Sequence, residues 1–227
     1  MTLNIGLLLF PDVQQLDLTG PYEVLAGLPG AQMHLVAAEA GPVRASTGLT
    51  LTATTDYASC PQLDILCVPG GAGIAALMRD ATVLDFLRRQ APGARYVTSV
   101  CTGALVLGAA GLLRGKRATT HWNAHHLLAP LGAIPVQARV VRDGNLFTGG
   151  GVTAGIDFAL TLVAEIAGPE AAQSIQLGLE YAPAPPFEAG SPETAPPAIL
   201  AGVRDKTAAN RKAREALVAE VAKGLGL

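Results

Sequence analysis

No stretch of this 227-residue sequence is long and apolar enough to cross a membrane, although half of its residues are hydrophobic. The first ten residues are apolar but lack a positive flank and stop at Pro11-Asp12, so they read as a buried first strand rather than a leader. Charge is scarce, at 15% of residues with a net of −2, and the basic residues gather nowhere. That excludes a polybasic surface for nucleic acid or anionic lipid. Cysteine is scarce too, with three in all: Cys60, Cys67 and Cys101. None forms a C-x-x-C pair, and an odd count without a leader fits reduced thiols in a cytoplasm. Cys67, inside Ile65–Val68, reads as an inert core thiol, whereas Cys60 before Pro61 stays open. A phosphate loop of the form G-x-x-x-x-G-K-[ST] and the zinc pattern H-E-x-x-H are both missing.

What is present is an alternation of strand-like and helix-like runs. Residues 3–10, 32–38, 65–68 and 96–100 are short, apolar and β-branched, and amphipathic or small-residue segments separate them. Apolar strands joined by helices predict an α/β fold with a mostly parallel sheet. Thr19 is a candidate N-cap for the first helix, with Pro21 in its first turn. Residues 41–52 suggest a small hairpin, and 153–167 a helix apolar nearly all round. After Tyr181 proline dominates. Residues 1–181 are therefore expected to form one α/β domain. Residues 182–227 form a Pro-rich connector and a charged helix over 207–223, packed on the same domain or on a dimer partner.

The run Tyr96–Ala110 is the chemical centre. A strand ends at Ser99-Val100, a helix opens at Thr102, and Cys101 sits on the joint. A sharp strand-to-helix turn exposes its joint residue at the top of a sheet, as in the nucleophile elbow G-x-S-x-G. The helix N-terminus there favours a thiolate. The competing reading is a small buried cysteine at a helix start.

In parallel sheets ligands bind beyond the carboxyl ends of strands. Asp17, Gly70-Gly71, Cys101 and Gly149–Gly151 each follow a predicted strand, so they should meet at one edge. The glycine turns fit G-x-G-x-x-A loosely, but no acidic residue ends the next strand, which argues against a dinucleotide. Bare backbone near a small ligand is the remaining reading. Asp17 is either a general acid with its pKa raised by burial and a neighbouring thiolate, or a helix cap. Glu23 is the second carboxylate in reach. His121 and His125 would share a helix face, yet no third ligand accompanies them, so histidines beside Trp122 are read as surface or interface groups and no metal is expected.

Several of these stretches together resemble the ThiJ/PfpI family of the class I glutamine-amidotransferase-like superfamily. They are Phe10-Pro11-Asp12-Val13, Leu16–Pro21, Val68–Gly71, Ser99–Ala104, Thr119–Trp122 and Thr148–Asp157. The resemblance spans roughly residues 3–181. It implies a flavodoxin-like three-layer sandwich, usually dimeric, with a strand-turn-helix nucleophile elbow. Members that hydrate isonitriles, R–N≡C, to N-substituted formamides look closest, because Asp17 and Cys101-Thr102 match them. For that group the resemblance implies catalytic Cys101, Asp17 and Thr102, with Gly71, Gly150 and Val152 around the substrate. It implies no cofactor and a small isonitrile plus water as the only partners besides a second subunit. Two alternatives are a redox- or ligand-sensing domain like that of AraC-type regulators and a glyoxalase- or deglycase-like enzyme. The latter usually carry Glu at the first acidic position and often His after the cysteine, and this chain has neither.

Overall fold

The computed structural model describes residues 2–227. The chain runs β1 (Leu3–Leu8), α1 (Gln15–Ala26), β2 (Ala31–Ala37), β3 (Gly41–Arg44), β4 (Thr50–Ala53), β5 (Thr55–Asp56), β6 (Ile65–Val68) and α2 (Ile74–Leu77). It continues through α3 (Ala81–Gln90), β7 (Tyr96–Val100), α4 (Gly103–Ala109), β8 (Arg117–Ala118) and two 3₁₀ turns, Trp122–Leu127 and Ala129–Leu131. It closes with β9 (Ile134–Pro135), β10 (Val140–Asp143), β11 (Leu146–Gly149), α5 (Ala154–Ala167), α6 (Pro169–Gly178) and α7 (Pro197–Gly224).

Seven strands form one sheet in the order β10-β11-β7-β6-β1-β2-β5, parallel except for β10. Ile5 pairs with Ile65 and Met33, and Val68 with Ser99. The central strands are buried on both faces, which is why they read as unbroken apolar runs. α1 and α5 pack together on one face, with α6 against α5, while α2, α3 and α7 gather around α4 on the other. The architecture is thus the mostly parallel α/β fold expected from the alternating pattern, in the flavodoxin-like sandwich form that the resemblance implies. Among the described residues no helix is long and apolar enough to cross a membrane.

The chain leaves β1 toward β2 on one side and later returns to β6 on the other. The carboxyl ends of β1 and β6 therefore flank the topological switch point, where a crevice opens above the sheet. The segment after β1 and the segment after β6 are tied together there by an antiparallel bridge between Val13 and Gly71 and by Gln14 N–H donating to Gly70 O at 2.9 Å. Gly71 has φ of +142°, and a side chain would run into the backbone of Asp12, Val13 and Gln14. Only glycine lets the two segments cross so closely.

Three local expectations need correction. Helix α1 starts at Gln15 behind Gln14, not at Thr19, whose hydroxyl instead donates to Gln15 Oε1 at 3.0 Å inside the helix. Pro21 lies in the helix interior, buried against Gly155 of α5. Tertiary packing there outweighs the cost of a missing N–H. Helix α5 is not buried all round, because Thr161 and Glu165 face outward and Glu165 pairs with Arg142 at 2.6 Å. Helix α7 begins ten residues before the predicted start, with Pro197 in its first turn, and it folds back on the same chain through buried Leu217, Val218 and Ala222. Proline suits a helix start as well as a connector, which hid that boundary.

Candidate active site

Four turns meet at the switch point. Cys101 follows β7 directly and has φ of +54°. Positive φ in a residue with a side chain is rare and costs about 1–3 kcal/mol, so it persists only where the surroundings enforce it. Here they do. The Cys101 N–H donates to Gly149 O at 3.1 Å and Gly150 O at 2.8 Å, and the Cys101 carbonyl accepts the Thr120 hydroxyl at 2.6 Å. Thr119 N–H donates to Thr148 Oγ1 at 2.9 Å, which locks that segment to β11.

Asp17 is the third residue of α1 and is fully buried. Its Oδ2 accepts Gly70 N–H at 2.9 Å, and Oδ1 has no hydrogen-bond partner. It caps nothing, so of the two readings left open by the sequence the capping one falls. The Cys101 side chain lies against this carboxyl. Burial pushes Asp17 up to about 7, against the smaller pull of the Gly70 amide and the Cys101 thiol. Burial pushes the Cys101 thiol up as well, helped by the negative charge of Asp17 and opposed by the N–H and hydroxyl of Thr102. The expectation that the helix N-terminus leaves a low-pKa thiolate is thereby corrected. Desolvation and a like charge outweigh one short helix. Carboxyl and thiol are coupled, because the charge of one opposes ionisation of the other.

Thr102 is nearly buried, and its hydroxyl oxygen accepts Gly71 N–H at 3.2 Å while turning toward the Cys101 sulfur. The N–H of Gly71 is thus engaged by Thr102 rather than facing the sulfur. Gly150 touches the elbow through its carbonyl. Val152, half-buried, lies two residues further on, just before α5. Glu23 is exposed on α1 and takes no part. Burial and the charge of Asp56 push Cys60 up to about 11, burial pushes Cys67 up to about 12, and neither sits on a strand-to-helix joint.

Gly70 is the hub. A methyl there would lie 2.6 Å from both the N and the Oγ1 of Thr102 and 2.7 Å from Asp17 Oδ2. Because one of these atoms is backbone, Gly70→Ala is expected to lower activity at least about tenfold and to cost about 1–3 kcal/mol of stability. A thermal melt beside a turnover assay checks this.

The histidines do not share a face. Residues 122–127 form a 3₁₀ turn, in which positions four apart point about 120° away from each other. His121 Nδ1 accepts Asn123 N–H at 3.3 Å, its ring lies 5.5 Å from Trp122, and its Cδ2 faces Gly151. His126 pairs with Glu215 at 2.9 Å. Among the described residues no cluster of three His, Cys, Asp or Glu side chains exists. A cavity of about 420 Å³ opens between the ends of β1 and β2, lined by Phe10, Ala37, Val43, Tyr57 and Leu77, but it contains none of Cys101, Asp17 or Thr102.

A doubly wound α/β sandwich with a cysteine elbow at its switch point defines the class of protein. The chain belongs to the DJ-1/PfpI family, whose pattern matches residues 4–165. It is 63% identical, over the whole of both chains, to isonitrile hydratase of Pseudomonas putida. A crystal structure of a ThiJ/PfpI family protein from Pseudomonas syringae superposes with a TM-score of 0.94 at 43% identity, covering 96% of this chain and 91% of the other. The HTH-type transcriptional regulator GbdR of Pseudomonas aeruginosa is 33% identical over 182 residues, 76% of this chain and 49% of the regulator.

Proposed function

We propose that the protein is an isonitrile hydratase, a hydro-lyase that adds water to R–N≡C and releases R–NH–CHO. The observation that carries the reading is the buried Cys101–Asp17 pair, whose carboxyl is pushed up to about 7. The full-length relation to the Pseudomonas putida isonitrile hydratase points to the same chemistry.

The terminal carbon of an isonitrile accepts both a nucleophile and a proton. With one proton on the pair, Cys101 reacts as thiolate while Asp17 is the acid. Sulfur attacks the carbon and Asp17 delivers its proton to the same carbon, giving the thioimidate R–N=CH–S–Cys101. The Asp17 carboxylate then takes a proton from water as its oxygen adds to that carbon, and passes the proton to nitrogen. The adduct R–NH–CH(OH)–S–Cys101 collapses, the C–S bond breaks, the hydroxyl proton goes to Asp17, and formamide leaves. Thr102 donates to sulfur when it carries charge, in the attack and in the expulsion. Gly150 and Val152 form part of the wall around the carbon. The proposal extends to a homodimer working in the cytoplasm.

Mixing the protein with an aryl isonitrile tests the reading. Formamide should accumulate, and rapid acid quench followed by mass spectrometry should find a substrate-mass adduct on the Cys101 peptide. An enzyme that makes no formamide overturns the activity, and turnover without any adduct overturns the covalent route. A redox-sensing role is disfavoured because Cys101 is only 6% exposed, whereas sensor thiols are accessible.

A further inference from the structure

We infer that Thr120 is a positioning residue: by holding the carbonyl of Cys101 it sets the peptide between Cys101 and Thr102, and so aims the Thr102 N–H into the active site. The inference deepens the reading of Cys101 as nucleophile and rests on it. The starting observation is a hydrogen bond of 2.6 Å from the Thr120 hydroxyl to the Cys101 carbonyl, across 19 positions of chain. Thr120 is 3% exposed and lies in the loop that follows β8.

Each peptide of the elbow has its own anchor. The N–H of Cys101 is held by the carbonyls of Gly149 and Gly150, which fixes the peptide before that residue. The peptide after it turns about a different bond. Among the described residues the Thr120 hydroxyl is the one donor to its carbonyl. Cys101 has φ of +54°, where a residue with a side chain stays only if its surroundings enforce it. Without the hydroxyl the second peptide would be free to rotate toward another partner, because a buried carbonyl is rarely left unpaired.

That rotation would move the N–H of Thr102. A trans peptide is planar, with its carbonyl and its N–H pointing opposite ways, so a carbonyl pinned by Thr120 aims the N–H to the other side. On that side Thr102 N converges with Asp17: a methyl on Gly70 would lie 2.6 Å from the nitrogen and 2.7 Å from Asp17 Oδ2. Thr102 stands just before the first residue of α4, and among the described residues its N–H is donated to no oxygen. A nearly buried N–H in that state is a donor held ready for charge that develops beside it. The charge develops on the sulfur of the preceding residue. This N–H already draws the Cys101 thiol down, against the larger rise that burial causes. Thr120 thus acts on the sulfur through one peptide.

The test uses the full-length protein with Thr120→Val, which removes the hydroxyl and keeps the shape, and Thr120→Ser, which keeps the hydroxyl. Thr98→Val is the control. The Thr98 hydroxyl makes the same kind of buried bond, to Leu66 O at 3.0 Å, on the same strand but three residues before Cys101. Steady-state turnover of an aryl isonitrile is measured beside alkylation of the Cys101 peptide by iodoacetamide, followed by mass spectrometry from pH 6 to 9. The valine variant should lose about tenfold or more in kcat with KM within about twofold, and alkylate about tenfold more slowly. Serine should restore both to within about threefold of the parent. Thr98→Val should melt at a lower temperature yet react like the parent. If Thr120→Val fails to fold in a thermal melt, Thr120→Ala stands in. Alkylation at the parent rate in a folded variant without the hydroxyl overturns the inference. So does a serine variant as slow as valine, or a Thr98 variant slowed as much as the Thr120 one, which would reduce the effect to packing or stability. Because the alkylation arm needs no isonitrile, a protein inert to isonitriles would sink the proposed activity while alkylation still decides this point.

Discussion

Cys101→Ala is expected to abolish formamide production, with turnover down about 10⁴-fold or more, as for loss of a nucleophile that acts as a unit with its partner. Asp17, Thr102 and the pocket wall would all remain, but no sulfur would be present to form the thioimidate. The same variant should fold, since alanine replaces a small, nearly buried side chain. Cys101→Gly makes the expectation sharper. Position 101 has φ of +54°, which glycine adopts without strain. The glycine variant should be as inactive as the alanine variant yet more stable than it by about 1 kcal/mol, because alanine keeps the strained backbone and glycine relieves it. Turnover measured beside denaturant melts reads both quantities. Hydration persisting at a tenth of the parent rate in either variant would rule out the covalent scheme.

Asp17→Asn should cut kcat/KM about a hundredfold or more, the usual scale for removing a positioned acid. Asparagine can still accept the Gly70 N–H, so geometry is kept and only the proton is lost. The stability effect runs the other way. The Asp17 carboxyl titrates near 7 when folded and near 3.8 in its ordinary environment. A folded-state pKa raised in this way means that the native form binds the proton more tightly than the unfolded chain does. Stability therefore falls as pH climbs from about 4 to about 7 and is level above that. Asparagine has no such penalty. At about 1.4 kcal/mol per pH unit the variant should gain roughly 2–4 kcal/mol at pH 8 and almost nothing at pH 4. The parent's activity should show an acid limb near pH 7, where the pair first loses a proton. A variant that is destabilised at pH 8, or that keeps most of its activity, would return Asp17 to a structural role.

Much of this was legible in the chain, and the limits have physical causes. The strands Ile65–Val68 and Tyr96–Val100 match their predicted bounds because a buried parallel strand must be apolar on both faces. The meeting of Asp17, Gly70 and Cys101 followed from topology, because each follows a parallel strand. The charge state of the pair was not legible, since it depends on burial, which neighbours in space determine. Glycine turns gave away close backbone approach, but not that the Gly71 N–H is taken by the Thr102 hydroxyl. Thr120 was missed as a partner of the elbow for a related reason. A hydroxyl is common anywhere, and only tertiary contact across 19 positions brings it to Cys101. The run Thr119–Trp122 was the one available signal for that wall.

The two-sided clamp on Cys101 also bears on how the molecule moves. Its N–H is held between two carbonyls of the β11 turn, and its carbonyl is held by Thr120. Gly149 ends β11 beside β7, and Gly150 and Thr120 lie in the buried segments that follow β11 and β8, so the joint is held from both sides. Opening it requires those buried segments to open with it, a slower and rarer fluctuation than the motion of an exposed loop. The sulfur's position is thus fixed on a timescale far longer than that of loop motions. An incoming substrate meets a stationary target, and any adjustment during the encounter belongs to the substrate and to the walls around it.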